Sequence, residues 1–270
     1  LFICLLLCCL ACCCTDPGNT TKLAVDHLPV PQHPHLAPNG RSNMHNDAYM
    51  TDTYEIAGPL GVEPRVELAS FADDINTCVT LAFDSQGRIL TTSAAMVSYR
   101  ILMLDPDTLE VLSSYELPPR DPTDPLFPYD DTSGAAYFVL DDRDRILLAD
   151  AEDAIQIIAF DQERKTLRRA RRFDLSAHLV AMEYPARDHL QMTIPDWEGD
   201  HLWFTTRYGV VGTLDPESGA VHTIGIEGEE IQNSFAVGED GVYIVSDHAM
   251  YRFSSGPDGA PVVDWRTAYD

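Results

Sequence analysis

The chain has 270 residues, 45% of them hydrophobic, and its 43 acidic against 18 basic residues give a formal net charge of −25. An acidic excess of this size repels phosphate backbones, so it argues against nucleic-acid binding. It favours a protein that works in a salty or extracellular medium, or one that binds cations. Six of the seven cysteines lie in the first 14 residues, so Cys78 has no partner for a disulfide inside the globular part.

The first 14 residues, LFICLLLCCLACCC, form an apolar run with the length of a signal-peptide core, too short to span a bilayer. The run resembles a bacterial lipoprotein signal, in which Leu10 and Ala11 precede Cys12, the residue that the resemblance identifies as acylated. We therefore expect an exported protein of the bacterial periplasm or cell surface, in contact with the membrane only through this lipid anchor. An ordinary cleaved signal or an uncleaved anchor is the alternative.

Residues 15–43 are rich in Pro, Gly, Asn and Thr and show no apolar period, which is typical of a flexible tether. His33 and His35 form an H-x-H pair within this stretch. In a Pro-rich tether we interpret such a pair as incidental rather than as a metal site. The globular domain is then predicted over residues 44–270.

Within that domain one pattern recurs four times: a β-like run, a tight polar turn and a second β-like run. The turn and the run after it read DSQGRILTTS (84–93), DDRDRILLAD (141–150), WEGDHLWFTT (197–206) and GEDGVYIVSD (238–247). A third and a fourth run follow in each copy, joined by turns such as DPDT and DPESG with Pro at the second position. Four short strands joined by tight turns, repeated at roughly 40–57 residues, are typical of a β-propeller blade.

Over residues 79–267 the pattern resembles the β-propeller superfamily that includes the SMP-30/gluconolactonase, NHL, YVTN and quinoprotein-like proteins. We predict an all-β fold, a β-propeller of four-stranded antiparallel blades. The blades are predicted at about 73–117, 134–175, 190–226 and 231–267. We expect these four to belong to a six- or seven-bladed ring that continues beyond this chain, with a closed five-bladed ring as the alternative. The WD40 signature and the common hydrolase, zinc-protease, dinucleotide and haem motifs are missing from the sequence.

Propeller topology assigns the loops to two faces. The entries to first strands, the exits from second strands and the links between blades share one face, which we call the link face. The tight turns within blades lie on the opposite hairpin face. Long, Pro-restrained links are predicted at 118–135 and 176–190, and such loops on a rigid scaffold often carry binding residues. The link face also collects the acidic residues Asp121, Asp124, Asp130, Asp131, Asp150, Glu152, Asp153, Asp188, Glu227, Glu229, Glu230 and Asp247.

Carboxylates that converge on a channel mouth suit Ca²⁺ or another divalent cation, because Ca²⁺ takes six to eight oxygen ligands. The candidate metal ligands are Asn76, Asp150, Asn233 and Asp247. A solvated acidic rim without a metal is the alternative interpretation. His248, beside Asp247, is the candidate general base, or else a hydrogen-bonded loop residue.

Candidate contacts to a small ligand or a protein partner come from two further groups. Asp130, Asp131 and Asp153 belong to the predicted link face. His45 and Asp47 belong to the polar cluster NMHNDAYMTDTYE (43–55), which otherwise packs against the outside of a blade. The basic run RKTLRRARR (164–172) falls on a fourth, outermost strand, where charge blocks edge-to-edge pairing; a partner site is the alternative.

Two functions stay open. The first is a secreted or lipid-anchored binding module that presents an acidic face to a ligand or protein partner. The alternative is an enzyme similar to the SMP-30 lactonases, in which a metal at the channel mouth activates water. That resemblance implies a carboxylate, an Asn and an Asp as ligands, types that Asn233 and Asp247 match. Quinoprotein-type redox chemistry would need a Trp that stacks on the quinone cofactor, and no docking motif surrounds any of the three tryptophans.

Overall fold

The computed structural model describes residues 32–38, 42, 77–95, 98–118, 137–150, 152–180, 190–231 and 235–269. These residues form sixteen strands and one short helix, α1 (Ser176–Val180). Over the same ranges no helix is long and apolar enough to cross a membrane.

The strands form four separate four-stranded sheets, and within each sheet every strand pairs antiparallel with the next one along the chain. Sheet 1 contains β1 (Thr77–Phe83), β2 (Ile89–Ala95), β3 (Ser98–Leu104) and β4 (Val111–Glu116). Sheet 2 contains β5 (Phe138–Leu140), β6 (Ile146–Ala149), β7 (Ala154–Asp161) and β8 (Thr166–Asp174). Sheet 3 contains β9 (Leu190–Pro195), β10 (Leu202–Thr206), β11 (Val210–Leu214) and β12 (Val221–Gly225). Sheet 4 contains β13 (Ala236–Gly238), β14 (Gly241–Val245), β15 (Ala249–Ser255) and β16 (Pro261–Ala268).

The predicted all-β fold of four-stranded antiparallel blades is therefore confirmed, and each sheet falls on one predicted blade. Neighbouring sheets contact one another through their first strands, β1 with β5 and β5 with β9, and through their outer strands, β4 with β8 and β12 with β16. This arrangement makes the first strand of each blade the inner one. The size of the complete ring stays a prediction.

The apolar core lies between the sheets rather than inside any of them. One cluster joins sheets 1 and 2 around Phe138 and Met103, and a second joins sheets 2 and 3 around Phe204 and Ile157. A third joins sheets 3 and 4 around Trp203 and includes side chains from the inner strands of three blades. Because side chains alternate across each strand, both faces of a blade can contribute to such a cluster.

In the first three blades the turn that recurs in the sequence is a hairpin held by an aspartate. Asp84 Oδ1 accepts the backbone N–H of Arg88 at 2.9 Å, and its Oδ2 accepts Arg88 Nε–H at 2.6 Å. Asp141 and Arg145 repeat both contacts, at 2.8 and 2.6 Å. Asp196 accepts backbone N–H groups in the same way in the third blade. The recurring D-x-x-x-R pattern thus supplies an internal partner for backbone groups that the turn leaves unpaired.

The prediction of a flexible tether over residues 15–43 does not hold for the described residues near its end, 32–38 and 42. Leu36 forms an antiparallel bridge with Asp141, and the N–H of Ala37 donates to the carbonyl of Leu140 at 3.0 Å. Leu36 is only 3% exposed and belongs to the third core cluster. The stretch packs because it carries adjacent apolar residues that the inner strands can bury. Residues 15–31 lie outside the described residues.

Candidate functional site

Four residues singled out from the sequence lie in the described part of the chain: Asp150, Asp153, Asp247 and His248. The other candidates lie outside the described residues, namely Cys12, His45, Asp47, Asn76, Asp130, Asp131 and Asn233. Of the sequence-derived candidates, only the first four can therefore be assigned to a site in the described part of the chain.

The link from sheet 3 to sheet 4, residues 226–231, is clamped by two second-strand exits. The N–H of Ile226 donates to the carbonyl of Gly209 at 2.7 Å, and Ile231 forms a bridge with Ser246. Gly209 has a φ of +85°, and a Cβ at this position would lie 2.6 Å from the Ile226 carbonyl oxygen, so the close approach requires glycine. The clamp brings link and strand exits together on the link face.

The clamped link carries Glu229 into a buried set of hydrogen bonds. Its Oε2 accepts Ser246 Oγ–H at 2.6 Å. Its Oε1 accepts Tyr251 O–H at 2.7 Å and an Arg266 N–H at 2.9 Å. Arg266 also donates from Nε to Tyr251 Oη at 2.8 Å. The carboxylate thus joins a link residue to strands β15 and β16 of the next blade.

These contacts control the charge of Glu229. Burial favours the neutral acid, but hydrogen bonds from Ser246, Arg266 and Tyr251, together with the Arg266 charge, outweigh it and lower the pKa of Glu229 from 4.5 to about 2. Burial, followed by the hydrogen bond to Glu229, raises the pKa of Tyr251. At neutral pH the site therefore holds a carboxylate beside a neutral phenol.

Asp247 and His248 complete the site on its solvent side. His248 Nδ1 lies 3.0 Å from Asp247 Oδ1 and 3.3 Å from Glu229 Oε2. Asp247 Oδ1 also accepts the N–H of Glu230 at 2.9 Å, which fixes the aspartate against the link. The His248 side chain is 63% exposed, whereas that of Glu229 is 5% exposed. The site therefore has a buried anionic floor and an accessible imidazole.

Glu229, Asp247 and His248 form the single group of three His, Cys, Asp or Glu side chains in the described ranges whose ligand atoms all lie within 4.8 Å of one another. We call this group the link-face triad. Two carboxylates and an imidazole can bind a divalent metal ion. Carboxylates beside Nδ1 can also orient an imidazole as a proton acceptor.

Asp150 and Asp153 occupy the corresponding exit of blade 2. Asp150 is buried, and its Oδ1 accepts the N–H of Ala154 at 3.1 Å while its Oδ2 accepts Gln156 Nε2–H at 2.6 Å. Arg172 Nε lies 3.4 Å from the same Oδ2. Asp153, in the same turn, has a φ of +57°. The oxygens of Asp150 thus stabilise a turn and an outer-strand arginine, and Asp150 does not belong to the link-face triad.

Sequence reasoning named Glu229 only as one of many rim acids and did not single out Ser246, Tyr251 or Arg266. The three donors lie 17 to 37 residues beyond Glu229 in the chain. They reach it only because blade 4 folds back on the link. The sequence marks Glu229 only by an apolar Ile two residues later, and this pattern is too common to identify a functional glutamate.

No protein-family model matches the chain, and no curated protein matches its sequence. Among solved structures, the chain is similar to the Swd1 β-propeller domain of Myceliophteria thermophila, with 11% identity and a TM-score of 0.39 over 71% of this chain and 60% of that one. It is also similar to BamB from Moraxella catarrhalis, with 12% identity and a TM-score of 0.41 over 69% and 60% of the two chains. A 6-phosphogluconolactonase-like protein from Bacteroides uniformis gives 11% identity and a TM-score of 0.47 over 70% and 64%.

The chain thus spans about 60% of the length of the solved propellers first matched. These propellers have varied roles, and their names transfer no function to this chain. The β-propeller assignment rests on the four consecutive antiparallel sheets and their inner-to-inner contacts.

Proposed function

We propose that this β-propeller is a binding module whose link face binds a divalent metal ion at the link-face triad, and through that ion an anionic ligand or partner carboxylate. The observation that supports it is the convergence of three ligand atoms from a blade link and a strand exit within 4.8 Å. Three protein ligands leave further coordination positions for water or a ligand.

The donor set favours zinc over calcium. Ca²⁺ takes six to eight oxygens, whereas the triad offers two carboxylates and one imidazole nitrogen, a combination that suits Zn²⁺. Arg266 lies 2.9 Å from the far oxygen of Glu229 and Ser246 occupies the near one, so the metal must compete with both. We therefore expect weaker binding than in a closed structural zinc site.

Thermal melting with added Zn²⁺ tests the proposal. A metal bound only by the folded state at about 100 times its Kd adds roughly 2.7 kcal/mol, which raises Tm by about 5–10 °C for a domain of this size. Asp247→Asn and His248→Gln should each remove most of this shift, because each deletes one ligand from an exposed position. Glu163→Gln and His178→Gln are matched controls, since both residues are exposed and lie outside the triad. Equal shifts in all four variants would mean adventitious binding and would reject the site.

A metal-dependent lactonase is the second candidate, supported by the same open coordination positions. A metal with a free position can lower the pKa of a bound water and supply hydroxide at neutral pH. In that arrangement His248 is a ligand rather than the general base. Lactone hydrolysis by the zinc-loaded protein, lost in Asp247→Asn, would support it. Zinc binding without hydrolysis would leave the binding module.

A further inference from the structure

Residues 32–38 together with Ser42, which we call the latch, are bonded along the turn between β5 and β6. The N–H of Leu140 donates to the carbonyl of Ser42 at 2.7 Å, and the N–H of Asp142 donates to the carbonyl of His35 at 3.1 Å. With the Ala37 to Leu140 bond at 3.0 Å, three backbone hydrogen bonds join the latch to blade 2 on the hairpin face. The latch is therefore a bonded part of that face.

The latch also reaches the inner strands. Leu36 shares its core cluster with Val139 of β5, Ile194 of β9 and Val237 of β13, each from the inner strand of a different blade. Ala37 belongs instead to the cluster between blades 1 and 2. Two neighbouring residues thus enter two different cores. Leu36 thus lies beside the blade 2 hairpin and is buried in a cluster to which the inner strands of three blades contribute.

Two histidines anchor the latch to blade 3. The His33 ring packs edge-on against Trp197 with centroids 5.1 Å apart, and His33 Nδ1 accepts the N–H of His35 at 3.1 Å. The His35 ring lies so close to Gly199 that a Cβ there would be 2.6 Å away. His33 is 3% exposed. This fit requires an imidazole that is uncharged and accepts at Nδ1.

We propose that the latch closes the hairpin-face end of the space between the inner strands, and that acid releases it. Protonation of His33 would remove the acceptor used by the His35 N–H and place a charge in a buried site. The inference is independent of which ligand binds at the link-face triad. Release of the latch by acid would make access to the space between the inner strands, from the hairpin face, depend on pH.

The charges around His33 agree with this mechanism. Burial is the main cause that lowers the pKa of His33 to about 4, the nearby His35 lowers it further, and the Pro195 carbonyl opposes both. The acid on the adjoining hairpin, Asp142, lies 3.9 Å from His35 Nδ1. In blade 3, Asp196 directs its oxygens to its own turn and to His201. A lowered folded pKa means that the latched state is fully stabilised above about pH 6.5 and loses that stabilisation as the pH falls towards 4.

Hydrogen exchange of the full chain, followed residue by residue at pH 7 and pH 4.5 and corrected for intrinsic rates, tests the latch. The amides of Ala37, Leu140 and Asp142 should lose protection about 50-fold on acidification, the factor expected for a histidine pKa of 6.5 when released. Amides of Leu202, Phe204 and Leu214 in the paired strands β10 and β11 serve as the internal reference, because their side chains belong to the core cluster that contains neither Leu36 nor Ala37. The His33→Phe variant retains an aromatic ring but cannot titrate, so its latch protection should not depend on pH. His35→Gln is the matched control and should retain the dependence.

Leu36→Asn tests closure itself. At pH 7 it should expose the three latch amides while the reference amides of Leu202, Phe204 and Leu214 stay protected, and the milder Leu36→Ala should do so partially. If the reference strands lose protection as well, the segment is an integral part of the fold and the latch is rejected. Unchanged latch amides at pH 4.5, or the same pH response in His33→Phe, would overturn acid release.

Discussion

Replacement of Glu229 by glutamine is the sharpest test of the buried floor of the site. The amide is close in shape to the carboxylate, but it carries no charge and presents an N–H₂ group to donors. The pKa of Glu229, lowered from 4.5 to about 2, corresponds to roughly 3 kcal/mol of stabilisation at neutral pH. The Arg266 side chain is 45% exposed, so solvent screening reduces the expected loss to about 1–2 kcal/mol.

The pH dependence supplies the second half of this prediction. A carboxyl with a depressed folded pKa stabilises the protein above about pH 4.5 and loses that contribution as the pH falls towards 2. Urea denaturation followed by circular dichroism should therefore separate wild type from Glu229→Gln at pH 7, with the difference shrinking in acid. Identical unfolding free energies at pH 7, or a difference that persists undiminished at pH 2.5, would refute the reasoning. A double-mutant cycle with Arg266→Gln would then show how much of the loss belongs to that pair.

Two further pairs of substitutions test the scaffold. Asp141→Ala should cost about 2–3 kcal/mol in urea unfolding, because it deletes a buried acceptor of three hydrogen bonds. Asp258→Ala, at an exposed turn, should cost about 0.5 kcal/mol. Equal losses of unfolding free energy in the two aspartate variants would contradict the argument that Asp141 stabilises its hairpin. Gly212→Ala should cost about 2–3 kcal/mol because its Cβ would lie 2.1 Å from the Phe204 ring. A Cβ at Gly228 would meet no atom within 4 Å, and the residue has a φ of +76°, so the cost of about 1 kcal/mol expected for Gly228→Ala reflects backbone conformation alone. A larger loss of stability in Gly228→Ala than in Gly212→Ala would contradict the packing argument.

The strands and hairpins were predictable because each blade encodes them locally. Asp84 and Asp141 lie four residues before the arginines that they bind, so the whole turn is contained in one short motif. The grouping of Asp247 with link residues was also accessible, since propeller connectivity alone assigns them to one face.

The role of Asp150 could not be predicted from the sequence in the same way. Its type and position matched those of Asp247, but Gln156 and Arg172 reach it only through strand pairing in blade 2. The latch was missed for a related reason. Composition describes the average of residues 15–43, whereas Leu36 is buried by strands more than a hundred residues away.

The placement of apolar side chains between blades has a consequence for how the molecule melts. A lone blade has no interior, so none of the four is an autonomous folding unit, and removal of one exposes the apolar face of each blade that packs against it. Loss of order in any blade should thus propagate around the arc as a single calorimetric transition, in the manner of other nearest-neighbour arrays. Inserted sequence should accordingly be tolerated only at the exposed hairpin tips. Exchange of single blades between propellers should succeed only when the faces that pack against one another in adjacent blades are exchanged together.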